Sequence, residues 1–85
     1  MLYYISMRID KFLKVSRLIK RRTVAQEACD AGKVFVNGRA VKPAYVLKIG
    51  DTVEITLGSP IRFKVKSLND KANKEEAQTL YELCS

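Results

Sequence analysis

Residues 8–38, "RIDKFLKVSRLIKRRTVAQEACDAGKVFVNG", decide how this chain folds. Ile9, Phe12, Leu13 and Ser16 recur at i, i+3, i+4 and i+7, the spacing of one helix face. Arg8, Lys11 and Lys14 fall on a flank away from that face. Leu18 and Ile19 anchor a turn through the basic step Arg17–Arg22. Thr23 and Gln26 then have capping-box spacing, with Thr23 at the N-cap and Gln26 reaching back. A second helix is expected over about residues 24–31, burying Val24, Ala25, Ala28 and Cys29 and ending at Gly32. Lys33–Val36 reads as a strand entering Asn37-Gly38, the dipeptide of a two-residue hairpin whose central residues both need positive φ. Residues 39–41 return.

Outward from that stretch, Pro43 breaks the pairing and residues 44–49 form a connecting loop. Val53, Ile55 and Leu57 alternate in a strand over residues 52–57, after the Gly50-Asp51 turn. Gly58-Ser59-Pro60 turns the chain into Ile61, Phe63 and Val65, which alternate with Arg62, Lys64 and Lys66. Asn73 and Glu76 read as a helix cap. Ala77, Leu80, Tyr81 and Cys84 follow at helical spacing, so a short amphipathic helix is expected in the tail. The fold class is α+β: two short helices packed on a small curled sheet, with a C-terminal amphipathic helix. The expected division is an N-terminal extension (1–7), a body (8–68) and the tail helix (69–85).

The charge is uneven. The 85 residues carry a net charge of +7. Residues 8–22 hold seven basic residues against Asp10, a net +6. Residues 69–85 hold two basic residues against four acids, a net −2. A basic body with a mildly acidic tail favours an anionic partner. The chain has no histidine, and Cys29 and Cys84 lie far apart in sequence, so a zinc site is not expected. Ser-His or Cys-His catalysis is excluded by the same absence. The four glycines are scattered in turns rather than gathered in a phosphate-binding loop. No cofactor is expected. The apolar start at residues 1–5 is too short for a membrane span or a signal core, so a cytoplasmic chain with reduced, buried or half-buried thiols is expected.

Residues 8–55 resemble the S4 RNA-binding domain. The likeness rests on the R-I-D-K-F-L start, the K-R-R-T step, the G-K-V-x-V-N-G hairpin and the I-G-D-x-V-x-I ending. It implies an αL-like body that binds structured RNA. "DKFLKVSRLIKRRT" and the later "NKEEAQTLY" are similar to the stand-alone S4 proteins of bacterial ribosome-associated quality control. That resemblance implies three partners: the large ribosomal subunit with its 23S rRNA, the peptidyl-tRNA stalled on it, and an RqcH-type factor that adds alanine to the stalled chain. A monomer is expected, acting as an adaptor with no catalysis of its own. Met7 falls where that family starts, so residues 1–6 read as an extension or an upstream start.

The residues themselves support an RNA surface. Arg8, Arg17, Arg21 and Arg22 each offer a planar fork that pairs a phosphate bidentately. Lys11, Lys14 and Lys20 add charge, although they also fit a solvated helix face. A phosphate near Thr23 would meet the second helix's free N–H groups. Lys33, Asn37 and Arg39 extend the expected footprint along the hairpin, where Asn37 is most simply a turn residue. The resemblance also assigns Asp10 to orienting Arg8 or a neighbouring cation. Phe12, Phe35 and Phe63 read as core, and this thin aromatic supply points to structured rather than single-stranded RNA. A helix-turn-helix DNA reader fits poorly, because Gln26, Glu27 and Asp30 on the second helix would bring acids to a groove. An rRNA-binding ribosome-assembly or subunit-recycling factor shares every motif of the body and remains the alternative.

Overall fold

The computed structural model describes residues 6–69 and 71–84. Its elements are β1 (Met7–Arg8), α1 (Ile9–Val15), α2 (Arg22–Asp30), β2 (Val34–Val36), β3 (Arg39–Ala40), β4 (Val46–Leu47), β5 (Thr52–Ile55), β6 (Ile61–Val65), a 3-10 turn (Glu76–Thr79) and β7 (Tyr81–Leu83). Five strands form an antiparallel sheet in the order β3-β2-β5-β6-β7, and β1 pairs separately with β4.

The two helices form where the periodicity places them. Ile9, Phe12, Leu13 and Ser16 are all buried. On α2 the facing residues Ala25, Ala28 and Cys29 are small, which lets the helices approach closely. The other side of this core is the inner face of the sheet: Val34, Val36, Val53, Ile55, Phe63 and Val65. The Phe12 and Phe63 rings stack with centroids 6.0 Å apart, joining α1 to β6. Tyr81 meets Phe63 edge-on at 5.6 Å.

Chain reversals follow the local chemistry. Gly32, at φ +73, ends α2 in a Schellman motif: the Lys33 N–H donates to Ala28 O and the Gly32 N–H to Cys29 O. Asn37 (φ +51) and Gly38 (φ +85) make the hairpin turn. The Asn37 side chain also accepts from the Thr52 N–H at 3.1 Å and donates to Asp51 at 3.3 Å, which ties the turn to β5. α1 ends without a glycine: Arg17 takes the left-handed conformation at φ +64.

Several expectations are corrected. Thr23 is not a cap. α2 begins two residues earlier, with Arg21 in extended conformation at the N-cap and no side-chain capping bond. Gln26 is drawn instead to a buried acceptor on α1. Val24 is 40% exposed, because the residue preceding Ala25 on a helix faces outward when Ala25 faces in. β5 stops at Ile55, leaving Leu57 exposed, and the loop over residues 44–49 contains the short strand β4.

The tail is not an amphipathic helix. Asn73 and Glu76 do cap each other reciprocally, at 3.1 and 2.8 Å, but they open only the single 3-10 turn. The Leu80 carbonyl then accepts from both Lys66 N–H and Ser67 N–H. The chain continues as β7, paired with β6 through Lys64↔Glu82 and Val65↔Tyr81. Two forces favour this: β6 would otherwise leave a row of unpaired backbone groups, and on this path Leu80 is buried in the common core. The tail therefore completes the sheet of the body. Cys84 lies outside the core and is exposed, while Cys29 is buried; neither forms a disulfide.

Candidate nucleic-acid interface

A single buried acid organises the basic surface. Asp10, in the first turn of α1, is fully buried. Its Oδ1 accepts from the Lys11 N–H at 2.7 Å. Its Oδ2 accepts from Arg8 Nη2 at 3.0 Å and from Gln26 Nε2 at 2.9 Å. Arg22 Nε stands 3.3 Å from the same oxygen as an ion pair, without the alignment of a hydrogen bond. Burial acts to raise the carboxyl's pKa. The hydrogen bond from Gln26, the Arg22 guanidinium and the Lys11 N–H together outweigh it, so the acid is held below its ordinary value. It is a carboxylate at neutral pH, and it fixes both arginines.

The arginines are not consumed by this contact. The side chains of Arg8 and Arg22 remain 47% and 41% exposed. Since Arg22 Nε is itself buried, the exposure falls on the rest of that side chain. Arg8, Lys11 and Arg22 line one open cleft of about 600 Å³, together with Ile49 and residues 67–69. A guanidinium pinned on one edge presents its other donors to an incoming phosphate at reduced entropic cost.

The remaining expected residues divide between other places. Lys14, Arg17 and Lys20 line a second basic cleft of about 400 Å³, together with Val15 and Ala72. Asn37 and Arg39 line a third with Lys42 and Tyr45. The Asn37 side chain is already engaged in holding β5, as described above. Arg21, Thr23 and Lys33 are exposed but line none of these three clefts. Lys33 has a backbone task, its carbonyl accepting from Thr56 N–H and Thr56 Oγ1.

Seven contributors escaped the sequence reading. Gln26 was masked by its capping-box spacing. Residues 67–69 and Ala72 carry no local signal, because only the tertiary fold brings the segment after β6 to the clefts. Lys42 and Tyr45 flank Pro43, and that X-Pro turn was the available clue.

The S4 domain family's sequence profile matches residues 7–53, and the chain belongs to that family. Within it, the chain is 49% identical to the "RQC P-site tRNA stabilizing factor" of Halalkalibacterium halodurans, over 91% of this chain and 89% of that protein. It is also 49% identical to the protein of the same name from Streptococcus pneumoniae, over 93% and 91% of the two chains. The fold matches the trimeric structure of Vibrio cholerae Heat Shock Protein 15 with a TM-score of 0.86 at 28% identity, over 94% of this chain and 83% of that one. Among the described residues no helix is long and apolar enough to cross a membrane, and no cluster of three or more metal-ligating residues occurs.

Proposed function

We propose that this protein is an RNA-binding adaptor of ribosome-associated quality control. It binds large ribosomal subunits that carry stalled peptidyl-tRNA, touching 23S rRNA and tRNA, and supports alanine tailing of the stalled chain by an RqcH-type partner. It acts as a cytoplasmic monomer and performs no chemistry itself. The names of its relatives support the ribosomal setting. The observation that carries the RNA surface is the pair Arg8 and Arg22, fixed on one buried carboxylate at the mouth of a cleft they share with Lys11. Structured RNA offers dense phosphates and a deep groove closed to side chains, so rigid, shape-matched cations suit it.

The test compares two charge deletions in binding to purified large subunits. Arg22→Ala should weaken binding by about tenfold or more, the worth of a charge-assisted hydrogen bond. Lys66→Ala removes a cation just past the end of β6 that faces Glu82 at 3.9 Å, and should change binding less than about twofold. Equal losses would mean diffuse attraction and sink the site. Gradient sedimentation then separates the settings: free large subunits with peptidyl-tRNA support quality control, and immature subunits without tRNA would move the protein to assembly.

A further inference from the structure

The third cleft differs in kind from the two basic ones. Lys42-Pro43-Ala44-Tyr45 forms a turn closed by the Tyr45 N–H donating to Lys42 O at 3.0 Å. Pro43 sits at the turn's second position, where its fixed φ is favoured. The Tyr45 carbonyl accepts from the Ile9 N–H at 2.8 Å, and the Pro43 carbonyl from the Asp10 N–H at 3.3 Å. The turn is thus tied to the first residues of α1. It brings Tyr45 and Lys42 to the same cleft as Arg39 of β3, along with Val36 and Val41. The cleft holds about 680 Å³, within the range that accommodates a small organic ligand.

Its chemistry is selective. Tyr45 leaves 39% of its surface exposed, while Val36 is buried and Val41 packs against the core. No carboxylate is among the described residues that line the cleft. Neither Arg39 nor Lys42 is engaged in an ion pair among the described residues. A metal ion would find no anionic ligand here. A paired RNA stem would present only phosphates and groove edges, leaving the ring without a partner. An unpaired base uses all the parts: it stacks on an aromatic face, and its flanking phosphates meet cations.

We propose that this cleft takes one unpaired ribonucleotide of the bound RNA, its base stacked on Tyr45 beside Val36 and Val41 and its phosphates held by Arg39 and Lys42. This rests on the RNA-binding reading above and adds to it a contact with single-stranded RNA.

The chain contains no tryptophan, so Tyr45→Trp creates a lone fluorescent reporter. Hexauridylate should quench it, and a fully paired RNA duplex of similar charge should not. Tyr45→Ala should weaken hexauridylate binding about tenfold, Tyr45→Phe should retain it, and both should bind the duplex as the parent does. If the alanine variant does not fold, the quenching and the phenylalanine variant still decide the matter. Absence of quenching while the parent chain binds large subunits would overturn the cleft and leave the RNA-binding reading standing. Failure of the parent chain to bind subunits, duplex and hexauridylate would overturn both.

Discussion

The Gln26 amide donates to the buried Asp10 carboxylate at 2.9 Å, bridging two helices across a separation of sixteen residues. The same carboxylate oxygen receives Arg8 and faces Arg22. One acid therefore clamps α1 to α2 and orients the cations above it. Asp10→Asn puts an amide in its place, which offers one acceptor and sets donors against donors. A loss of about 1–3 kcal/mol in urea unfolding is expected. Unchanged stability would mean the carboxylate holds nothing.

Acid titration gives the same clamp a sign. Asp10 has a depressed pKa in the folded protein, so its ionisation stabilises the fold above the ordinary carboxylate value of about 4. That stability is lost as the pH falls from there through the lower folded pKa. The stability gap between the native protein and Asp10→Asn should be constant near neutrality and close in this acid window. A gap that stays open down to the folded pKa and below would contradict the linkage.

Arg17 separates folding from binding. Its φ of +64 is a conformation that disfavours side chains, and it lines the second basic cleft. Arg17→Gly should leave stability unchanged or raise it by up to about 1 kcal/mol, while large-subunit binding weakens. Loss of both together would show that the residue is structural.

The two thiols should differ sharply in reactivity. Burial, followed by the charges of Asp10 and Asp30, pushes the Cys29 thiol up to about 11, so at neutral pH it stays protonated and shielded. Cys84 is exposed. Iodoacetamide at pH 8 should modify one thiol in the native protein, mapped to Cys84, and two after denaturation. Rapid native labelling of Cys29 would contradict the packing of α2.

Leu80 tests the tail. It is buried in the common core and its carbonyl receives two N–H groups. Leu80→Ala should cost about 2–5 kcal/mol, and amide exchange should show protection in the strand Tyr81–Leu83. A small cost with a rapidly exchanging tail would restore an independent appendage.

The helices, the hairpin and the two later strands were legible because their signals are local. Ile9, Phe12, Leu13 and Ser16 repeat at helical spacing, and Asn37-Gly38 names its own turn. The tail misled for a physical reason. Ala77, Leu80, Tyr81 and Cys84 do repeat at helical spacing, but the unpaired edge of β6 is a tertiary fact absent from residues 69–85. The site was half legible. The cations were visible as a charge cluster, yet their division into separate clefts depends on Asp10, Gln26 and residues brought in from the tail. Thr23 and Gln26 fit a capping box in spacing, and a buried carboxylate on another helix outbid the backbone for Gln26.

Both margins of the five-stranded sheet are brief: β3 has two residues and β7 three, each with a charge, Arg39 or Glu82. Short charged margins are poor templates for the addition of a foreign strand. The weak point is Leu83, which leaves 63% of its surface open on the β7 side. Self-association during concentration or heating should therefore begin at that one margin, and Leu83→Lys is the substitution that would suppress it.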